Sequence, residues 1–327
     1  MKVAELRKIL NNTSDDVLKN VLVEVYKLVP ISKKETADEI ITNVISGNTK
    51  KITKTKETVD YKKLSNEINT FLKHAYAQYY VAPNRVIPKK DRSKWRFQVK
   101  RYVKELDKVD SGNEFYNEAI DLLVKLYKLM CDACSYYLFT TDDSFNSVGI
   151  SQDDFYRIIA TKKLSLGYTN ENITTLLIAA STGGLSRSSL HIYQELTLLS
   201  QLKDENILHL AIDKAKELVD STSEKIKGTR EYSSAKYALI ESVNNYCDFI
   251  LMASIKLDEF DDGIDYYFKH NQDRDEEVKL YCALDCIEWF EEDNNELWIK
   301  CYEYGVKNRK IKPRDYLIDQ YKLKKAK

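Results

Sequence analysis

Apolar residues recur at intervals of three and four along nearly the whole chain, the period of one face of an α-helix. Near the start Val3, Leu6 and Leu10 keep this spacing, a polar break follows at 11–14, and Val17, Leu18, Val21, Leu22, Val25 and Leu28 form a second stripe. Pro30 ends that helix, because it cannot donate to the ladder and disfavours helix in the residue before it. Ala37, Ile40, Ile41 and Val44 predict a third helix, closed near Gly47. Residues 1–47 therefore read as a small three-helix module. The next stretch, 48–60 (NTKKITKTKETVD), is polar, rich in Thr and Lys and without period, and reads as a linker.

From Tyr61 onward the pattern predicts helices at about 61–80, 92–108, 113–139, 152–165, 170–181, 186–202, 204–221, 231–256, 260–270, 274–290, 294–306 and 313–325. Ser93, Ser151 and Thr169 stand where a side-chain oxygen would cap the first turn. Gly167, Gly183 and Gly184 stand where helices should stop. Residues 80–88 are expected to be an extended loop. Short connections make successive helices antiparallel neighbours. The expected fold is all-α: stacked antiparallel helix pairs over 61–327, α-solenoid-like or an irregular helical domain, after the small N-terminal unit.

Composition narrows the class. Gly and Pro together number only 13 of 327 residues, about a third of average usage, which argues against a β-sandwich or barrel. No apolar run reaches the ~18 residues that a membrane span requires. The N-terminal MKVAELRKIL lacks a secretory apolar stretch. Six cysteines are too few for a disulfide framework and are expected to be free thiols. A cytoplasmic protein with no membrane contact is the expectation.

The formal net charge is zero, but the charges are sorted along the chain. Residues 80–108 hold ten Lys and Arg against three acids. Arg92, Arg96, Lys100 and Lys104 recur every four residues on one predicted face, opposite Trp95, Val99, Tyr102 and Leu106. With Arg85, Lys89 and Lys90 they form a candidate basic binding surface. It would suit phosphates, an acidic protein, or acidic helices of the same chain. Residues 258–303 hold sixteen acids against four bases, and the tail from 306 holds nine bases against two acids. This sorting predicts either internal compensation or head-to-tail self-association.

One segment resembles a known family. In LDEFDDGIDYYFKH (257–270), Phe260, Asp261, Asp262, Gly263, Ile264 and Tyr267 fill the aromatic, acidic, small, aliphatic and aromatic places of a tetratricopeptide repeat's second helix. Gly263 stands where Ala is usual, and His270 where the closing Ala usually stands. The resemblance covers residues 235–270. It implies a helical hairpin and a groove for a protein or peptide, with no catalysis.

No reaction-bearing motif emerges. Cys131 and Cys134 have half a zinc-finger spacing but lie inside an apolar helical run, and Cys282 and Cys286 have no His beside them. Ser188 and His191 are placed on one predicted helical turn, without an oxyanion hole. Gly183 and Gly184 lack the Gly-Lys-Ser/Thr of a phosphate loop. The acid pairs Asp153 with Asp154 and Asp261 with Asp262 suit helix starts. Neither cofactor nor metal is expected. Functional side chains favour loops on rigid scaffolds, which singles out Asp142, Asp143, Phe145 and Asn146 in the non-helical stretch 140–150. The leading expectation is a non-enzymatic scaffold for a protein or peptide. The alternatives are nucleic-acid binding through 92–104 and an enzyme with an unrecognised site in a helical bundle.

Overall fold

The computed structural model describes residues 3–30, 34, 37, 38, 41, 42, 44, 45, 60–291 and 295–326. The chain divides into two units, Met1–Asp60 and Tyr61–Lys327. The described residues are all-α, with no strand among them, and none of their helices is long and apolar enough to cross a membrane.

In the first unit α1 spans Val3–Asn11 and α2 spans Asp15–Lys27. No residue of α2 is buried, and Val17, Val21, Leu22 and Val25 stay exposed. Ala37, Ile41 and Val44 are helical as expected. Ile40, Gly47 and the predicted linker apart from Asp60 lie outside the described residues.

The second unit runs α3 (Tyr61–Tyr76), α4 (Lys89–Arg92), α5 (Trp95–Asp107), α6 (Tyr116–Ser135), α7 (Ser144–Val148), α8 (Gln152–Ser165), α9 (Asn170–Ser181), α10 (His191–Gln201), α11 (Glu205–Gly228), α12 (Ser234–Lys256), α13 (Phe260–His270), α14 (Glu276–Phe290), α15 (Asn295–Lys307) and α16 (Asp315–Lys325). Packing follows chain order. Helices α3 and α5 lie on α6, α6 on α8, α8 on α9 and α10, α9 on α11, α11 on α12, α12 on α13 and α14, α14 on α15, and α15 on α16. A continuous apolar core threads these stacked pairs.

Local chemistry explains the boundaries. The hydroxyls of Ser151 and Thr169 accept from the backbone N–H of Asp154 (3.1 Å) and Asn172 (3.2 Å), as a first turn requires. Ser93 does not cap: it closes the four-residue α4, and the predicted helix 92–108 breaks there before resuming at Trp95. The loop at 80–88 is not extended. Successive turns (Val81 N–H to the Gln78 carbonyl and Asn84 N–H to the Val81 carbonyl, both 3.1 Å) fold it back. The pull is hydrophobic: Tyr80 and Val81 are buried, with Tyr80 against Phe71 and Phe139 at 5.5 Å. Helix α10 begins only at His191, so Ser188 precedes it and shares no helical turn with His191.

The pair α12/α13 shows why 263 carries no side chain. A Cβ on Gly263 would stand 2.6 Å from the Ser254 Cβ, closer than carbons can approach, while Ile264 and Tyr267 fill the interface completely buried. Gly263→Ala should destabilise the fold by about 1–3 kcal/mol through overpacking. Adding Ser254→Gly should recover part of the loss. Urea melts of the three chains check this, and a Gly263→Ala chain as stable as the parent refutes the close approach.

Candidate anion-binding surface

The predicted basic face and the predicted loop meet in one place. Helix α5 is seated by Trp95, Val99, Tyr102, Val103 and Leu106, all buried. Trp95 stacks flat on Phe139, centroids 4.0 Å apart and 11° between planes, and Phe139 also stacks on Phe71 at 6.2 Å. This aromatic junction holds the chain just after α6 beside α5. Between them lies a cleft of about 330 Å³, walled by Lys89, Arg92, Arg96, Thr140, Thr141 and Ser147.

The far wall is internally fixed. Asp143 is buried and caps α7, accepting from the Asn146 N–H at 3.0 Å, from the Ser186 hydroxyl at 2.9 Å and from the Arg187 N–H at 3.1 Å. The Ser147 hydroxyl donates to the Asp143 carbonyl at 2.9 Å. Ser144 donates to the Met130 carbonyl at 2.6 Å, tying α7 to α6. Phe145 is core, packed on Tyr127 and Phe155. So Asp143 and Phe145 are structural, Asn146 is exposed, and Asp142 at the surface pairs with the Arg187 guanidinium. The Lys100 ammonium lies against Gly149, 3.5 Å from where a Cβ would stand.

The basic face loses one predicted member. Arg92 turns inward and donates from Nε to the Ile87 carbonyl at 3.0 Å and from its terminal nitrogen to the Asn84 carbonyl. The helix break at 93–94 takes it off the line of Arg96, Lys100 and Lys104. Arg85, Lys89, Lys90, Arg96, Lys100 and Lys104 are exposed. The surrounding acids are claimed by other cations: Asp91 by Lys94 (2.6 Å), Glu67 and Glu105 by Arg101, Asp107 by Lys162 (3.8 Å). The Lys94 hydrogen bond holds the Asp91 carboxyl below its usual range. Arg96 lies 5.0 Å from the ring of exposed Phe97.

The acidic segment is compensated elsewhere. Glu276 pairs with Lys279 (2.8 Å) and Arg309 (2.9 Å), Glu277 with Arg314 (3.3 Å), Glu288 with Lys324 (2.9 Å) and Asp261 with Lys300 (3.6 Å). Hydrogen bonds from Lys307, Tyr321 and Lys325 hold Glu303 down at about 2. Among the described acids of 258–303, Glu276, Glu277, Glu288 and Glu303 thus meet cations of the basic tail, and none of these pairs reaches α4 or α5.

A second concentration of polar groups is interior. Glu195 on α10 is buried and accepts from the Ser181 hydroxyl at 2.9 Å. Its other oxygen, and Oδ1 of Asp248 on α12, are buried without a hydrogen-bond partner. Burial, then the Asp248 charge, pushes Glu195 well above the carboxylate range. Burial, with the charge of Asp273, lifts Asp248 to about 8. Cys247 and Cys286 beside them are buried, and burial raises both thiols. Among the described residues no three His, Cys, Asp or Glu converge as metal ligands. Cys131 is core, with Gln152 Nε2 at 3.5 Å from its sulfur. His191 is buried, its Nδ1 2.9 Å from the Ala180 carbonyl, and burial lowers its affinity for a proton.

A carboxyl whose folded pKa is raised is favoured protonated. Its stabilisation is full below the unfolded value and is lost as pH climbs to the folded one. Between about pH 4 and about 8 each unit should cost up to about 1.4 kcal/mol for Asp248. Asp248→Asn should therefore raise the thermal midpoint at pH 8 and leave it nearly unchanged at pH 4.5. Melting curves at both values check this, and equal shifts at the two would show that Asp248 does not titrate in that window.

The chain matches no protein-family model, and no curated protein or solved structure matches it.

Proposed function

We propose that the chain is a non-enzymatic binding scaffold whose partner presents an anionic surface to the α4–α5 face. One observation carries this reading: Lys89, Lys90, Arg96, Lys100 and Lys104 stand exposed while the acids around them are held by other cations. Like charges gathered on one face repel one another, and an anionic partner relieves that repulsion and releases condensed ions. The cleft wall offers guanidinium, ammonium and hydroxyl groups. The stacked helix pairs and the repeat-like α12/α13 hairpin suit a scaffold, with the charged face rather than the hairpin as its contact surface.

The sequence isoelectric point is about 6.9, so at pH 7.5 bulk charge opposes binding to an anionic matrix and only a local patch retains the protein. Retention on phosphocellulose at low salt, released as salt rises, is expected. Arg96→Glu with Lys100→Glu should pass straight through. The same charge change at Lys225 and Lys227 on α11 should leave some retention. Elution that tracks net charge regardless of position sinks the reading.

A further inference from the structure

Aromatic surface adjoins the cationic cleft. Across Thr140 and Thr141, which both share, opens a wider cleft of about 510 Å³ lined by Tyr136, Tyr137 and Asp142. Tyr136 is 68% exposed and Tyr137 57%, and on the cationic side Phe97 is 62% exposed. Their place is fixed: the Tyr136 N–H donates to the Asp132 carbonyl at 2.7 Å, and the Gln78 amide donates to the Tyr137 carbonyl at 3.1 Å. The single acid in this second cleft, Asp142, is neutralised by Arg187, so the aromatic side does not repel an anion.

Resting on the anion-binding reading above, we infer that the ligand is a single-stranded nucleic acid. Its phosphates would lie along Lys89, Arg96 and Lys100, with unstacked bases on Tyr136 and Tyr137. Cations that follow a backbone beside aromatic rings that stack bases are the two parts of a single-strand site. From Arg96 to Lys104 the helix advances roughly 12 Å at 1.5 Å per residue, a run along which more than one phosphate can be met. A duplex keeps its base faces inside the stack and would use the cations only. An acidic peptide would satisfy the cations and leave the tyrosines without flat partners. The exposed Ser93 and Thr140 at the rim add hydroxyl donors for phosphate oxygens. The base-stacking site is shared by DNA and RNA.

Fluorescence anisotropy with labelled 15-nucleotide oligo-dT and oligo-U, a duplex of equal length, and a polyglutamate competitor tests this on the full chain. At least one single strand should bind more tightly than the duplex. Tyr136→Ala or Tyr137→Ala should weaken it about 5- to 150-fold, the worth of one stacked base, without changing the salt slope. Tyr136→Phe should keep the affinity. Arg96→Ala with Lys100→Ala should instead reduce the slope of log affinity against log salt by about 1.4. Equal binding of duplex and single strand with silent tyrosine variants overturns the nucleic-acid inference while leaving the anion-binding surface. Displacement by polyglutamate at equal charge with silent tyrosines does the same. Absence of binding to every polyanion overturns both.

Discussion

The face-to-face contact between Trp95 and Phe139 is the constraint on which the candidate surface depends. Phe139 belongs to the segment that leaves α6, and Trp95 opens α5. Their stack, shared with Phe71 and Tyr80, brings together parts of the chain more than forty positions apart in sequence. Each ring buries a large apolar area, and aromatic pairing adds of order 1 kcal/mol beyond that burial. The stack sets Thr140 and Thr141 opposite Lys89 and Arg96, and the hydrogen bonds of Asp143 and Ser144 secure the rest of that wall. The loop at 80–88 depends on the same junction, since its turns are drawn in by Tyr80 and then tied off by the guanidinium of Arg92.

The charges tell two different stories within one neutral chain. In the C-terminal helices Glu276, Glu277, Glu288 and Glu303 pair with bases of the tail from Lys307 onward through contacts that any helical array would tolerate. Exposed pairs of this kind contribute at most about 1 kcal/mol each, so their significance lies in what they leave over. Segregation along the sequence is thus partly offset in space at the C-terminal end, while the exposed cations of α4 and α5 stand beside a cleft and the exposed rings of Tyr136 and Tyr137.

Most of the fold was legible from periodicity. The helices from Gln152 to Ser181 fall where the apolar spacing and the caps at Ser151 and Thr169 put them, because local chemistry and burial agree there. The misreadings have a common cause in tertiary demand. Arg92 sits in phase with Arg96, yet the loop carbonyls of Asn84 and Ile87 need donors, so its guanidinium turns inward and the helix breaks behind it. The stretch 80–88 holds two prolines and reads as extended, but burying Tyr80 outweighs that preference. Asp143 and Phe145 were conspicuous because they lie in a loop; one caps a helix and the other fills the core. The basic face itself was visible. Tyr136 and Tyr137 were not, because they continue an apolar helical run and only the actual end of α6 at Ser135 turns them outward.

Cations and aromatic rings stand exposed side by side on this face. A cationic helix alone attracts any anion, and its attraction fades as salt screens it. Aromatic rings left exposed beside it are costly in water and gain from a flat, weakly hydrated partner, a contribution that salt does not remove. On the proposed reading, their joint presence would favour a ligand that is both anionic and aromatic over one that is merely anionic. That selectivity would come from geometry: Thr140 and Thr141, directly after the stacked Phe139, are the wall that the cationic and the tyrosine-lined clefts share.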